Sequence, residues 1–306
     1  MIYDTLIIGA GPAGLSASIY AARAGLQALT IEKNFVSGGH VIDTYQVESY
    51  PGLPGISGMD LAMEMQAHAE RVGAQTVREE VTGYDLTGSV KKITTTGGVY
   101  ESRSVILAMG AQRKKLGVPG EDRMLGHGVS YSATCDGAFY RGSSVAVIGS
   151  GDSAAADALY LARGSKKVYL AYKRGAMHAA QSLQDALKKF DNVEQIPDVL
   201  VEEIMGENHT GAVRLIPVKG SGKARTIHVD GVFIAIGISP ETEQLPAQLE
   251  RDRRGYLCAG EDGTTSVPGV FAIGDIRTKA LRQILTSCAD GANVVNSVRN
   301  YLLMQA

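Results

Sequence analysis

Two segments of this chain repeat one design, in which an apolar strand ends at a glycine-rich turn and a helical stretch follows. They are TLIIGAGPAGLSASIYAARAG, residues 5–25, and SVAVIGSGDSAAADALYLARG, residues 144–164. A second strand pattern comes next in each case, QALTIEK or KKVYLAYKR. A strand, a G-x-G-x-x-[GA] turn, a helix and a parallel strand together form a dinucleotide-binding unit. The sequence therefore predicts an α/β protein with two Rossmann-like, three-layer nucleotide-binding domains.

Three further apolar strands end at glycine: SVILAMG at 104–110, GVFIAIG at 231–237 and GVFAIGD at 269–275. The last one lies beyond the second repeat, and its Gly-Asp ending is of the type that completes the first nucleotide site. We therefore expect the second domain to be inserted into the first. Pro, Gly and polar residues in LGVPGEDR and SPETEQLP place the boundaries. The predicted domains are residues 1–115 with 243–306, and residues 116–242.

Composition excludes several classes of function. A chain of 306 residues exceeds one ordinary domain, and a formal net charge of -2 gives no basic field for nucleic acid or an anionic membrane. No apolar run is long enough to span a membrane, and the N-terminus lacks a signal-peptide pattern. The three cysteines are too few for a secreted disulfide framework, so a cytoplasmic location is expected. The six histidines lack metal-ligand spacing, and no metal is expected.

Each glycine of the first turn is expected to have a separate structural role. Gly9 makes the tight turn, Gly11 admits a pyrophosphate, and Gly14 lets the helix pack on the strand. The phosphates would sit at the helix N-terminus, where free N–H groups favour anions. Glu32, at the end of the second strand, would accept the ribose hydroxyls. The alternative is that these glycines serve only a tight turn.

The second turn has Gly149, Gly151 and Ala154, with Asp152 and Ser153 between them. Its second strand ends in the sequence Tyr-Lys-Arg, residues 172–174, rather than in an acid. Cations at this place suit a 2′-phosphate, and therefore favour NADP over NAD. The alternative is a solvated basic strand end on a fold that has lost its cofactor.

The stretch GVSYSATCDGAFYRG, residues 128–142, carries one cysteine, Cys135, where a pair is expected. Together with both glycine turns and GVFAIGDIRTKALRQ at 269–283, it resembles the low-molecular-weight thioredoxin reductases over essentially the whole chain. The resemblance implies a homodimeric FAD enzyme in which NADPH reduces the flavin. The flavin then reduces a C-A-T-C disulfide, whose dithiol reduces thioredoxin. By position Cys135 is the flavin-proximal cysteine, Asp136 is the acid that handles protons, and Ser132 replaces the first cysteine.

The resemblance also implies a flavin site in residues 1–115 and 243–306. Asp275 would hold the ribityl or phosphate side, and Arg282 with Gln283 would lie at the flavin ring. Three positions depart from the family pattern, because His40 replaces Gln, Ser49 replaces Asn and Met109 replaces Thr. Beyond the turn glycines and Glu32, the flavin-site residues expected by resemblance are Pro12, Ala13, Lys33, Gly38, Gly39, His40, Ser49, Ala108, Gly110, Gly274, Asp275, Arg282 and Gln283.

The second site departs further from the family. The family's H-R-R-x-x-x-R reads here as Tyr172, Lys173 and Arg174 followed by His178. Lys173 is a point cation without the guanidinium fork, and a histidine is mostly neutral at pH 7. Weaker NADPH binding is therefore expected. A related group with this fold takes electrons from reduced ferredoxin and has lost the same motifs, so ferredoxin stays open as the electron donor.

A site with one cysteine cannot complete the thiol–disulfide exchange that a pair of cysteines performs. Thiol–disulfide exchange needs a second thiol to resolve the mixed disulfide, and the Ser132 hydroxyl is a poor nucleophile toward sulfur. We expect turnover to stop at a persistent mixed disulfide between Cys135 and thioredoxin. Ser132 is either an introduced substitution or a natural loss, and the intact Cys135 and Asp136 favour the first. Alternatives are that Cys135 is a buried small apolar residue, that the protein is a ferredoxin-NADP reductase-like flavoprotein, or that it is a non-catalytic FAD protein that docks thioredoxin.

Overall fold

The computed structural model describes residues 1–44, 46–219 and 222–305. Its strands alternate with helices over most of the chain, as the two repeated segments predict. In chain order the strands are β1 (Ile2–Ile8), β2 (Ala28–Glu32), β3 (Gln75–Arg78), β4 (Val81–Asp85), β5 (Lys91–Thr95), β6 (Val99–Leu107), β7 (Ala111–Arg113), β8 (Val129–Ser130), β9 (Ser144–Ile148), β10 (Lys167–Ala171), β11 (Val193–Ile196), β12 (Val199–Met205), β13 (Ala212–Pro217), β14 (Arg225–His228), β15 (Gly231–Ile234), β16 (Ile238–Pro240) and β17 (Val270–Ala272).

The helices vary from one turn to six. Within the described ranges, no helix combines the length and the apolar character that crossing a membrane requires. The α-helices are α1 (Pro12–Arg23), α2 (Gly58–Arg71), α3 (Ala133–Asp136), α4 (Asp152–Ala162), α5 (Gln181–Leu187) and α6 (Ile284–Met304), and short 3-10 segments cover Gly39–Asp43, Gly137–Tyr140 and Gly274–Ile276.

The chain divides into two compact units. The first unit contains Met1–Tyr45, Ile56–Gln112 and Ser239–Ala306, and the second contains Gln46–Gly55 and Arg113–Ile238. The unit boundaries lie a few residues before the expected ones at 115/116 and 242/243. Residues 46–55, which the sequence prediction assigned to the first domain, group with the second unit.

The first unit is built on a parallel sheet with strand order β3-β2-β1-β6-β17, and β5 and β4 continue antiparallel from β6. Ile8 pairs with Ile31 on one side and with Leu107 on the other, so the carboxyl ends of three strands meet at one edge. Leu6 and Ile8 contribute to one apolar core and Ile7 to another, as the two-residue period of a doubly covered strand requires. Both faces of this sheet are therefore buried.

Helices α1 and α6 pack closely on one face of that sheet. A Cβ at Gly291 of α6 would lie 2.4 Å from the Ala13 carbonyl oxygen of α1. The Ser16 hydroxyl also donates to the Cys288 carbonyl at 2.7 Å. The C-terminal helix therefore supports the first turn of α1, although about 270 residues separate the contacting positions along the chain.

The second unit repeats the plan with a parallel sheet of order β11-β10-β9-β15-β8 and an antiparallel sheet of β12, β13 and β14. Ile148 pairs with Ala171 and with Ile234, so the carboxyl ends of β9, β10 and β15 meet at one edge. Val145 and Val147 face the core beneath α4, whereas Ala146 faces the core shared with the antiparallel sheet. The α/β class with two Rossmann-like units is confirmed.

Candidate functional site

The first glycine turn is shaped by close backbone contacts. Gly9 has φ of +100°, and its N–H donates to the Ile31 carbonyl at 2.8 Å. A Cβ at Gly9 would lie 2.7 Å from the Ala108 carbonyl oxygen, and one at Gly14 would lie 1.9 Å from the Gly9 carbonyl oxygen. Both positions therefore exclude any side chain, because the helix start is pressed against the sheet edge.

Gly11 differs from its two neighbours in the motif. It is the N-cap of α1 with φ of -73° and ψ of -175°, which any residue adopts. Among the described residues, nothing lies within 4 Å of the position that a Cβ at Gly11 would take. No side chain caps the helix, and its first turn carries no acid. The N–H groups and the positive end of α1 therefore face open space of the kind that a phosphate fills.

Glu32 ends β2 beside this turn, and its carboxylate is buried. One oxygen, Oε2, accepts the N–H of Ala10 at 2.7 Å, and Oε1 accepts the N–H of Asn34 at 2.8 Å. These hydrogen bonds fix the carboxylate at the edge of the cavity. A carboxylate held in this way keeps lone pairs for two further donors, such as vicinal ribose hydroxyls.

A cavity of about 660 Å³ opens at this edge of the first unit, within the range of small-molecule sites. Most of the expected flavin-site residues line it. They are Gly9, Gly11, Pro12, Ala13, Glu32, Lys33, Gly39, His40, Ala108, Gly110, Gly274 and Asp275.

Five expected residues do not line the cavity: Gly14, Gly38, Ser49, Arg282 and Gln283. Gly14 and Gly38 are packing positions, since a Cβ at Gly38 would lie 2.5 Å from the Ala62 side chain. Ser49 belongs to the second unit. Their expected direct contact with a flavin therefore has no support from the cavity's shape.

Arg282 and Gln283 instead organise the chain next to the cavity. The Arg282 guanidinium lies 4.0 Å from the ring centroid of Tyr256 and donates to the carbonyls of Asp275 and Arg277. Gln283 begins α6 with a capping box that includes Thr286. The pair thus positions the segment that carries Asp275.

Several residues that line one side of the cavity were not predicted from the sequence. Most of these residues come from the β3–β4 turn, from β4 and from the start of the last segment of the first unit, where no motif marks them. Burial, aided by the Glu241 carboxylate, raises the pKa of Tyr84 to about 12, so this phenol stays a hydrogen-bond donor. Among the missed lining residues are Asn34, Glu79, Glu80, Val81, Tyr84, Gln112, Glu241, Glu243 and Gln244.

An ion cluster beneath Asp275 was also missed. The Asp290 carboxylate accepts from Arg277 at 2.7 and 2.9 Å, from Lys279 at 2.9 Å and from the Gly274 N–H at 2.8 Å. Burial alone would raise the pKa of Asp290, but these donors outweigh it and hold the pKa below its ordinary value. Burial raises the pKa of Asp275 against the opposing charges of Lys279 and Arg282.

These features fit FAD. The bare N-terminus of α1 at Gly11 would hold the pyrophosphate, the fixed carboxylate of Glu32 would hold the adenosine ribose, and Asp275 would hold hydroxyls on the flavin side. The Gly11 cradle is the observation that decides the fit, because a single methyl group there would occupy the space of a phosphate oxygen.

The second turn reproduces the first. Gly149 has φ of +147°, its N–H donates to the Ala171 carbonyl at 3.0 Å, and its Cβ would lie 2.3 Å from the Ala235 carbonyl oxygen. Gly151 is the N-cap of α4 in an extended conformation, and no described residue beyond its chain neighbours lies within 4 Å of the position that a Cβ there would take. Ala154 takes the place of Gly14. This turn therefore also presents a helix N-terminus to a phosphate, although, unlike α1, α4 carries an acid, Asp152, in its first turn.

Tyr172 stands in the second unit where Glu32 stands in the first, directly after the residue that pairs with the end of the central strand. It is buried, and its hydroxyl donates to Gln195 at 2.9 Å. The exposed Lys173 and Arg174 follow, and Arg174 Nη1 lies 2.9 Å from His178 Nε2. Among the residues that the structure describes, no carboxylate directly follows β10, and Asp198 Oδ2 lies 3.4 Å from the position that a Cβ at Gly175 would take.

The thiol lies elsewhere in the second unit. Ser132 is the N-cap of α3, and Cys135, three residues on, is half-buried and in the free thiol form. The Ser132 hydroxyl lies 3.2 Å from the Thr134 hydroxyl. Ser132 therefore stands in the sequence where the expected partner cysteine would stand, at the residue that begins the helix carrying Cys135.

Asp136 follows Cys135 and is held by its surroundings. Burial raises the pKa of this carboxyl, against a hydrogen bond from the Ser130 hydroxyl and the charge of Arg113. The Ser130 hydroxyl also accepts the N–H of Ser132 at 3.0 Å. A carboxyl with a raised pKa can hold a proton next in sequence to a thiol.

A model of the pyridine nucleotide-disulphide oxidoreductase family matches residues 3–291. The chain is 40% identical over 307 aligned positions to a thioredoxin reductase of Listeria monocytogenes, covering 98% of this chain and 94% of that one. It is 41% identical to a thioredoxin reductase of Treponema pallidum, covering 98% and 97%. The crystal structure of thioredoxin reductase from Streptococcus pyogenes matches with a TM-score of 0.93 at 40% identity, covering 99% of each chain.

Thioredoxin reductases of this family use FAD and NADPH, in agreement with the two glycine turns. The family model spans both units, and the relatives are covered nearly end to end. The chain belongs to the low-molecular-weight thioredoxin reductases of the pyridine nucleotide-disulphide oxidoreductase family.

Proposed function

We propose that this protein is a thioredoxin reductase-type flavoprotein that reacts with thioredoxin through one sulfur, Cys135. The observation that carries the proposal is the serine N-cap of α3. Ser132 places an oxygen at the partner position, while Cys135 and Asp136 are present beside it. The relatives' shared name supplies thioredoxin as the disulfide substrate.

The residues that would hold FAD are Gly11 at the pyrophosphate, Glu32 at the ribose and Asp275 on the flavin side. When bound, FAD supplies two-electron transfer between a nicotinamide and a disulfide. The protein's own contribution is to orient that group and to hold a proton at the Asp136 carboxyl, which burial favours.

The thiol step balances without a second protein sulfur. The Cys135 thiolate attacks a disulfide sulfur of thioredoxin, forms a new S–S bond and expels the other thioredoxin sulfur as a thiolate. In a dithiol enzyme the neighbouring thiolate would displace the bound thioredoxin. The Ser132 hydroxyl forms no stable bond to sulfur, so the mixed disulfide persists unless the expelled thiolate returns.

The test uses a thioredoxin with one active-site cysteine, loaded with thionitrobenzoate so that the expelled thiolate is coloured and cannot return. We expect about one equivalent of thionitrobenzoate per chain and a covalent adduct on a non-reducing gel. Cys258→Ser and Cys288→Ser are matched controls and should react as the unchanged chain does. Absence of the adduct, or an adduct that survives in Cys135→Ser, contradicts the proposal.

The proposed electron donor is NADPH. The open turn at Gly151 and the exposed cations Lys173 and Arg174 support a phosphorylated dinucleotide. Anaerobic titration of the flavin absorbance with NADPH should bleach it. Bleaching by reduced ferredoxin alone would contradict NADPH as the donor and would favour the ferredoxin-dependent alternative.

A homodimer in the cytoplasm completes the proposal. The resemblance to a homodimeric family suggests the dimer, and three cysteines, too few for a secreted disulfide framework, suit a reducing compartment. Light scattering during size-exclusion chromatography should give twice the chain mass of 32.3 kDa. A monomer at micromolar concentration would contradict the dimer.

A further inference from the structure

The residue between β8 and the thiol helix is fastened to the segment that follows β7. This residue is Tyr131, and its hydroxyl donates to Glu121 Oε1 at 2.6 Å. Glu121 is 2% exposed and also accepts the backbone N–H groups of Leu116 at 3.0 Å and of Gly117 at 2.7 Å. A buried carboxylate with three donors is held firmly in place. Tyr131 is therefore tied to a fixed group that lies outside α3.

The phenol ring of Tyr131 has two further contacts. The Arg113 guanidinium lies 5.2 Å from the ring centroid, and the ring packs against the core that also contacts Leu116 and Val118. Burial, together with the Glu121 carboxylate, holds the pKa of the phenol well above its ordinary value, so the hydroxyl stays a donor. Replacing Tyr131 with Phe would therefore remove one hydrogen bond and leave the packing of the ring in place.

The same segment is also bonded to α3 itself. The Ser130 hydroxyl donates to Asp136 Oδ2 at 2.5 Å and accepts the N–H of Ser132 at 3.0 Å. The residues that precede the helix are thus bonded both to the helix and, through the phenol, to the buried carboxylate. Cys135 lies in this helix and is half-buried. Any opening of α3 that exposes the thiol further is opposed by this chain of hydrogen bonds.

We propose that Tyr131, anchored by Glu121, is a specificity-determining residue of the thiol step: it restrains α3 so that small disulfides reach Cys135 poorly, whereas a docked protein disulfide reaches it. A half-buried thiol reacts with a small disulfide mainly when the segment around it opens. A docked protein instead brings its disulfide to the thiol while α3 stays closed. This inference rests on the proposed thiol step and names the residues that select its disulfide.

Both reactions have the same chemical balance. The Cys135 thiolate attacks one sulfur of the disulfide, a new S–S bond forms, and the other sulfur leaves as a thiolate. The two disulfides therefore differ in how they reach the thiol and not in the bonds that change. The ratio of their rate constants measures this selectivity, and a smaller folded fraction alone would leave the ratio unchanged.

The experiment uses the FAD-loaded full chain with Cys258→Ser and Cys288→Ser, in which Cys135 is the one remaining cysteine. Its rate constants are measured with the small disulfide dithiobis(nitrobenzoic acid) and with thioredoxin that carries thionitrobenzoate on its one active-site cysteine. Both reactions release coloured thionitrobenzoate. Tyr131→Phe and Glu121→Gln are the test variants.

Tyr100→Phe is the matched control. The Tyr100 hydroxyl also donates to a glutamate, Glu79, at 2.9 Å, but this pair lies in the first unit. The control variant therefore loses the same kind of hydrogen bond away from α3, and both of its rate constants should equal those of the chain without it.

We expect Tyr131→Phe to raise the rate constant with dithiobis(nitrobenzoic acid) about tenfold, as loss of one hydrogen bond to a carboxylate allows. The rate constant with labelled thioredoxin should not rise. Glu121→Gln should act in the same direction. Combining it with Tyr131→Phe should add little, because both variants weaken the same bond.

An unchanged rate constant with the small disulfide in Tyr131→Phe overturns the inference, and so does an equal rise with both disulfides. In a Cys135→Ser chain, Tyr131→Phe should leave the reactions of Cys258 and Cys288 unchanged. Faster reactions there would mean a general loosening of the fold and would also overturn it. Failure of labelled thioredoxin to react with the unchanged chain contradicts the proposed function, whereas the small-disulfide comparison still decides whether Tyr131 restrains the thiol.

Discussion

At the scale of single residues, Glu32 and Tyr172 show how one position separates two related sites. Both follow the second strand of a βαβ unit, yet one is a fixed carboxylate and the other is a buried phenol bonded to Gln195. The carboxylate of Glu32 indicates a site for a ribose whose 2′-hydroxyl carries no phosphate. The phenol leaves ribose or phosphate recognition to the loop beyond it.

Replacing Glu32 with Gln tests this assignment. The amide keeps one acceptor oxygen, but its NH₂ group then faces either the N–H of Ala10 or that of Asn34. We expect FAD affinity to fall about tenfold to a hundredfold, because a charged acceptor is lost and one donor is left unpaired. Titration of the apoprotein by quenching of flavin fluorescence measures this. Unchanged affinity would show that Glu32 serves the fold alone.

We predict that the free energy of unfolding depends on pH through Asp157 on α4. Burial raises the pKa of this carboxyl from 3.8 to about 7. At a pH between these two values, the carboxyl is protonated in the folded state and ionised in the unfolded state. The stability due to Asp157 is therefore lost as the pH rises toward 7 and stays lost above it.

Urea unfolding of Asp157→Asn checks the sign. Relative to the unchanged chain, the variant should gain about 1–2 kcal/mol between pH 5.5 and pH 8, since asparagine does not titrate. Equal pH profiles for the two chains would mean that Asp157 is solvated in the folded state.

At the scale of the elements, the helix start of α1 contains two kinds of glycine. Gly11→Ala adds a methyl group to open space at an unstrained backbone position, whereas Gly14→Ala would place one 1.9 Å from the Gly9 carbonyl oxygen. We expect Gly11→Ala to fold with near-normal stability but to purify colourless, because the methyl group takes the place of a phosphate. Gly14→Ala should fail to fold. Circular dichroism and flavin absorbance distinguish these outcomes, and a yellow Gly11→Ala would contradict the proposed cradle.

The elements also show what could be read from the chain alone. The βαβ repeats were predictable because apolar strands ending in glycine at a helix start have few other structural uses. The contacts of Asp290 and of Asp198 were not, because their partners lie more than ten residues away along the chain and no helical or strand spacing brings them together. Arg282 was placed at the flavin ring by resemblance, and its observed contact with Tyr256 depends on a long-range fold.

The Asp290 cluster supports a stability prediction. Asp290→Asn removes the only anion that contacts both Arg277 and Lys279 in the described cluster and leaves two buried cations. The cost should be about 3–5 kcal/mol, with weaker FAD binding because Gly274 loses its charged acceptor. Glu101→Gln, which breaks the exposed pair with Lys92, should cost less than about 1 kcal/mol. Equal losses in urea unfolding would contradict a structural role for the buried cluster.

At the scale of the whole molecule, the chain retains both dinucleotide turns and the acid beside the thiol, whereas Ser132 stands in place of one sulfur. Catalytic turnover requires all of these parts, because each thioredoxin that is reduced needs a second thiol to release it. Binding of FAD and of a nicotinamide needs neither sulfur. If the proposed function holds, the chain should reduce its cofactor with NADPH but should not turn over thioredoxin.

Ser132→Cys tests this separation directly. A cysteine at the α3 N-cap stands three residues before Cys135, within reach of a disulfide, and its thiolate can displace thioredoxin from the mixed disulfide. In the unchanged chain, NADPH consumption with thioredoxin disulfide should stop after about one equivalent per chain. In Ser132→Cys it should continue as steady turnover, at a rate at least about a hundredfold higher. Ser132→Cys combined with Cys135→Ser holds one thiol at the other position and should not turn over. If Ser132→Cys stays inactive although NADPH still bleaches its flavin, the missing sulfur is not what stops this protein, and the defect lies in the encounter with thioredoxin.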